Sequence, residues 1–146
     1  MSKTIVLATD HAGLELKNHV KNFLQNKGYN IKDFGALEYD SLDDYPDFII
    51  PAAKHIAEHN LIGIIFGGSG QGEAMAANRV KGIRAAVFYN GPSEIVELSR
   101  MHNNSNILSI GARFLSNQEA ESVIELWLST DFEEGRHEKR INKLDS

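Results

Sequence analysis

Leu61-Ile-Gly-Ile-Ile-Phe66 runs directly into Gly67-Gly-Ser-Gly-Gln-Gly72, and Glu73-Ala-Met-Ala-Ala-Asn78 follows without a break. The first six residues are nearly all apolar, as befits a strand covered on both faces, which is the habit of a central strand in a parallel sheet. The glycine run reads as a loop and Glu73 to Val80 as a short helix. A strand that turns into a helix, with no hairpin signal between them, is half of a βαβ unit.

The same rhythm extends in both directions. Toward the N-terminus, Thr4-Ile-Val-Leu-Ala8 is a β-branched strand closed by Thr9-Asp-His-Ala-Gly13. Leu16, Val20, Phe23 and Leu24 recur at helical spacing, and Gly28 stops that helix. Tyr29 to Phe34 is a second strand and Ala36 to Asp44 a polar loop. Pro46 opens a helix whose apolar face is Ile49, Ala52, Ala53, Ile56 and Ala57. Toward the C-terminus come a strand at Arg84–Phe88, a helix at Ser93–Met101, a strand at Asn106–Ile110, and a helix marked by Ala120, Val123, Ile124, Trp127 and Leu128. This order predicts a three-layer αβα sandwich on a five-stranded, parallel, Rossmann-like sheet. Residues 1–146 suit a single domain. The charged tail, Glu133 to Ser146, lies beyond the last sheet-covering helix and reads as a helical arm that contacts a neighbouring subunit.

Composition narrows the function classes. The 146 residues are 42% apolar and 24% charged, carry a net charge of −5 and contain no cysteine. Disulfides, thiolate metal sites and a cysteine nucleophile are excluded, and a reducing compartment is expected. No apolar run approaches the ~20 residues of a membrane helix, and no secretory leader is visible. Without a basic footprint, nucleic acid is a poor partner. The expected home is the cytoplasm, with no membrane association. The six histidines show no ligand spacing, so no metal is expected.

Chemistry belongs at the carboxyl ends of parallel strands, where Asp10-His11 and the glycine loop fall. Backbone N–H groups of such a loop can converge on one anion, helped by the N-terminus of the next helix. The loop matches neither a P-loop nor GxGxxG, and a merely structural turn is the plain alternative. Glu73 in the first helical turn is either a helix-end charge or a base beside oriented donors, which is what enolisation requires. His102, within Met101-His-Asn-Asn104, is either a loop histidine or an acid/base. It precedes strand five, at the opposite end of the sheet from Asp10. If both act in one site, a second subunit must bring His102 across, as a two-fold dimer would. In the tail, Arg136, His137 and Arg140 are either a solvated charged face or an anion clamp, since Arg forks fit phosphate oxygens. Arg113, just after strand five, is a further phosphate candidate.

ATDHAG ending strand one, Asp44-Tyr-Pro46, GGSGQGEAMAANR at 67–79, GIRAA at 82–86, RMHNNSN at 100–106 and GRHEKR at 135–140 together resemble the type B ribose-5-phosphate isomerases and the related galactose-6-phosphate isomerase subunits. The resemblance runs from Thr9 to about Arg140. It implies that Asp10 and His11 contact the sugar, Asp10 assisting ring opening. It makes His102, with Asn103 beside it, the acid/base that opens the furanose. Gly68, Ser69, Gly70, Gln71 and Gly72 become the hole for the enediolate, the Ser69 hydroxyl moving protons between O1 and O2. Arg113, Arg136, His137 and Arg140 hold the phosphate. The family's sites lie between two subunits, which implies a homodimer and leaves tetramers open. Part of the family carries a cysteine base at the position of Gly67; another branch has glycine there and a glutamate six residues on, where Glu73 stands. The expected activity is the interconversion of ribose 5-phosphate and ribulose 5-phosphate with Glu73 as base and with no metal or organic cofactor, because the carbonyl itself supplies the acidity. The rivals are allose or galactose 6-phosphate as substrate, or a non-catalytic nucleotide- or phosphate-binding module.

Overall fold

The computed structural model describes residues 3–146. Five strands form one parallel sheet: β1 (Thr4–Thr9), β2 (Asn30–Asp33), β3 (Ile62–Gly67), β4 (Ala85–Phe88) and β5 (Ile107–Gly111), in the spatial order β2-β1-β3-β5-β4. The helices are α1 (Leu14–Asn26), α2 (Pro46–His59), α3 (Gln71–Asn78), α4 (Glu94–Met101), α5 (Asn117–Ser129) and α6 (Arg136–Ile141), and single 3₁₀ turns follow β1 and β5.

The apolar periodicities divide the core into two layers. Leu16, Val20 and Leu24 of α1, Val96 of α4, and Val123, Ile124 and Trp127 of α5 cover one face of the sheet. Ile49, Ala53 and Ile56 of α2, with Ala76 and Ala77 of α3, cover the other. β1 and β3 are buried along nearly their whole length because both faces are covered. Trp127 also donates its indole N–H to Ser105 at 2.9 Å, and Ser105 meets Ser99 at 2.9 Å. These bonds tie the turn after α4 to α5.

Lys17 is fully buried, and its ammonium reaches both Asp33 oxygens at 2.8 Å and the Ala36 carbonyl at 2.9 Å. Burial alone would push the Asp33 carboxyl up, but Lys17 and the Gly35 N–H outweigh it and hold it below its ordinary value. The pair fixes the bend after β2. That bend in turn exchanges 2.7 Å backbone bonds with Thr9, the last residue of β1.

Two boundaries depart from the sequence reading for a local reason. Helix α3 starts at Gln71 rather than Glu73, because Gly70, at φ 79°, takes the capping position and its carbonyl accepts from Ala74 N–H at 3.1 Å. β2 ends at Asp33 rather than Phe34, where the chain bends into Gly35 at φ 96°. The arm also bonds to its own chain: Glu133 N–H donates to the Met101 carbonyl at 3.0 Å, and the Asp145 carboxylate accepts from Gly82 N–H at 2.9 Å.

Candidate active site

From β1 the chain passes to β2 on one side, whereas from β3 it passes to β4 beyond β5 on the other. The loops after β1 and β3 therefore diverge and leave a crevice between them. The pairing of Thr9 with Phe66 sets Asp10 beside Gly67, and the Thr9 hydroxyl donates to the Phe66 carbonyl at 3.0 Å across the two strand ends. Asp10, 8% exposed, caps the following 3₁₀ turn by accepting from Ala12 N–H at 3.0 Å.

The glycine loop owes its composition to what lies against it. A Cβ on Gly67 would collide with the Glu73 carboxylate, which fills that space. A Cβ on Gly68 would meet the Arg113 guanidinium at 3.0 Å, and one on Gly72 the Tyr45 hydroxyl at 3.0 Å. Ser109 donates its hydroxyl to the Gly70 carbonyl at 2.6 Å, and Ser69 Oγ accepts from Gln71 N–H at 3.3 Å. Glu73 is 5% exposed. Burial pushes its carboxyl above the ordinary value; its own backbone N–H opposes this, nearby Asp10 adds to it, and Arg113 opposes it. Arg113 is anchored by its N–H on the Gly68 carbonyl at 3.1 Å. Asp10, His11, Tyr45, Ser69, Glu73 and Arg113 thus line one cavity of about 250 Å³.

Sequence reasoning missed two members of this neighbourhood. Asp43 accepts from the backbone N–H of His11 at 3.2 Å and meets its ring Nδ1 at 2.6 Å. This bond raises the His11 imidazole above its ordinary pKa; burial opposes it, and Arg113 opposes it more weakly than Asp10 and Asp43 support it. Tyr45 stands over Gly72. The Asp44-Tyr-Pro46 stretch was visible in the sequence as a motif, but 32 positions separate His11 from Asp43, and no local spacing connects them.

The other sequence candidates form a second group at the amino end of the sheet. His102 closes α4, its N–H on the Leu98 carbonyl at 3.0 Å. Its ring stacks on His137 of α6, with centroids 4.4 Å apart and planes 14° off parallel. Glu133 lies 3.4 Å from His137 Nε2 and 3.7 Å from His102 Nε2. His137 is buried, whereas Asn103, Arg136 and Arg140 are exposed. Four residue steps of β5, about 13 Å, separate Ile107 next to this group from Gly111 next to the other. The two groups therefore do not meet within one chain. The fold also assembles two close-set trios of potential ligand side chains, His102-Glu133-His137 and Asp10-His11-Asp43, which no spacing in the sequence announces.

A larger hollow of about 730 Å³, lined by Lys27, Phe88, Ser93 and Leu126 among others, contains none of the residues singled out in either group. Among the described residues no helix is long and apolar enough to cross a membrane.

Residues 5–144 match the family described as Ribose/Galactose Isomerase. The chain is 38% identical over 146 residues to a probable ribose-5-phosphate isomerase B of Mycoplasma genitalium, covering 99% of this chain and 95% of that one. It is 39% identical over 142 residues to the ribose-5-phosphate isomerase B of Mycobacterium tuberculosis, covering 96% and 86%. The crystal structure of the Mycoplasma genitalium enzyme with bound ribulose-5-phosphate superposes with a TM-score of 0.92, covering 99% of this chain and 95% of that chain. A ribose 5-phosphate isomerase structure from Thermotoga maritima, 40% identical, also gives 0.92, covering 99% of both chains.

Proposed function

The chain belongs to the ribose/galactose isomerase family, and from that premise we propose that it interconverts ribose 5-phosphate and ribulose 5-phosphate through an enediolate, with Glu73 as the base. The observation that carries this reading is the Glu73 carboxylate. It is buried against Gly67, at the mouth of a glycine loop and beside Arg113. A carboxyl raised by burial is a stronger base than one in water, and ionised Glu73 is what the reaction uses.

In the proposed cycle Asp10 and His11 hold the sugar, and His102, with Asn103 beside it, opens the furanose. Glu73 then takes the proton from C2 of the open aldehyde. The C–H pair forms the C1–C2 double bond, and the carbonyl pair moves to O1. N–H groups of Gly68, Gly70, Gln71 and Gly72 meet the charge on O1. The Ser69 hydroxyl moves a proton from O2 to O1, and Glu73 returns its proton to C1. Arg113 from one side, with Arg136, His137 and Arg140 from the other, hold the phosphate. The separation of the two residue groups supports a homodimer in which each site takes one group from each subunit. The chain's lack of cysteine fits a reducing compartment, and the proposal places the enzyme in the cytoplasm.

The test is a coupled assay of the purified protein on ribose 5-phosphate, allose 6-phosphate and galactose 6-phosphate. Fastest turnover of the ribose ester is the expected result. A hexose ester in first place would keep the chemistry and change the substrate. No turnover of any of them would sink the isomerase reading and favour a binding module.

A further inference from the structure

His11 is held at two points by one carboxylate. The same Asp43 oxygen accepts from the His11 backbone N–H at 3.2 Å and meets ring Nδ1 at 2.6 Å. The Asp43 side chain is only 9% exposed. Its second oxygen, Oδ2, is buried and has no hydrogen-bond partner among the described residues. Asp43 does not line the cavity at the glycine loop, whereas His11 lines both that cavity and an adjoining hollow of about 540 Å³ with Tyr39 and Arg113. A buried carboxylate whose side-chain partner is one imidazole favours a charged ring, since a neutral ring would leave that charge uncompensated.

We infer that Asp43 is a positioning residue for the isomerisation: it pins the Nδ1 edge of His11, turns the Nε2 edge to the substrate cavity and keeps that edge a hydrogen-bond donor. A neutral ring bonded to Asp43 through Nδ1–H would offer only a lone pair at Nε2. A charged ring donates there, to a sugar oxygen or to the carbonyl that becomes O1. Three charged groups act on the ring: Asp10 on its own turn and Asp43 on the loop before α2 favour the charge, and Arg113 after β5 opposes it, while Tyr39 packs edge-on at 5.7 Å and Glu73 lines the same cavity from α3. Two carboxylates against one guanidinium leave the balance with the imidazolium, which agrees with the upward direction of the His11 pKa.

The use of His11 rests on the isomerase reading, but the pairing does not, so two readouts keep them apart. The first is the NMR titration of the His11 ring in the full chain. Asp43→Asn keeps a carbonyl acceptor at the Oδ1 position and exchanges the charged carboxylate for a neutral amide, so the midpoint should move to lower pH, and Asp43→Glu should restore it. An unmoved midpoint would overturn the inference, whatever the activity. The second readout is kinetic. Asp43→Asn should lower kcat/KM roughly ten- to a hundredfold and shift its alkaline limb to lower pH. In the double variant with His11→Asn the loss should be no larger than for His11→Asn alone, because Asp43 acts through His11. A double variant much worse than His11→Asn, or an unmoved limb, would make Asp43 a merely structural residue. Absence of turnover by wild type would count against the isomerase reading, and the ring titration would still decide the pairing.

Discussion

The two ends of the sheet are built differently. At the carboxyl end, Asp10 and the glycine loop sit directly on the ends of buried strands with Glu73 in the helix turn that follows, and the Thr9 and Ser109 hydroxyls tie these ends to the Phe66 and Gly70 carbonyls. At the amino end, His102 hangs from the last turn of α4, and its companions come from an arm that is mostly exposed. The carboxyl end holds a carboxylate in place by burial; the amino end presents a histidine and two arginines to whatever approaches. A buried carboxylate and an exposed cationic group fit the proposed homodimer, in which each site would take one group from each subunit.

Mixing subunits is the strongest way to break that division. Glu73→Gln and His102→Asn should each lose activity, Glu73→Gln about a thousandfold. If each site draws on both subunits, a mixture of the two inactive variants recovers roughly a quarter of wild-type activity. Half the dimers are then hybrids, and each hybrid has one intact site. No recovery after exchange of subunits would show that each chain completes its own site.

A smaller effect sharpens the picture of the carboxyl end. Gly67→Ala puts a methyl where the Glu73 carboxylate lies, and moving that carboxylate by about 1 Å should cost roughly a hundredfold in kcat. KM should barely change. A wild-type kcat would mean that the observed position of the carboxylate is not the working one. At the amino end, Arg136→Lys or Arg140→Lys keeps the charge and loses the fork. Each should raise KM about tenfold and leave kcat nearly intact. A fall in kcat at constant KM would remove these residues from phosphate binding.

The smallest effect concerns stability. Folding raises the Glu73 pKa, so the folded state prefers the protonated form. Its ionisation costs stability that is fully retained below the unfolded value and lost as pH rises through the folded one. Glu73→Gln should therefore be the more stable protein at neutral pH by about 1 kcal/mol, a few degrees in Tm. The gap should close in acid, where both are neutral. A less stable variant at pH 7 would mean that the carboxylate is better solvated than its burial indicates.

Helix and strand order could be read in advance because each element announces itself within a few residues. Isoleucine-rich Leu61–Phe66 has one way to be buried on both sides, and the 3.6-residue recurrence of Ile49, Ala52, Ala53 and Ile56 has one face to hide. The candidate residues were legible one by one for the same reason, since glycine runs, Glu73 and His102 stand in short motifs. Their partners were not. His11 finds Asp43 across 32 positions, Lys17 finds Asp33 through the bend after β2, and His102 stacks on His137 from beyond α5.

Sequence by itself therefore determined the parallel α/β architecture, the crevice at the strand ends and the residue types gathered there. Only the tertiary structure decided which carboxylate fills the space at Gly67, which aspartate holds His11, and that the arm lies against α4 of its own chain. Apolar periodicity is written locally because burial is demanded residue by residue. A hydrogen-bond partner is fixed only when the sheet order, 2-1-3-5-4, brings distant loops to the same edge.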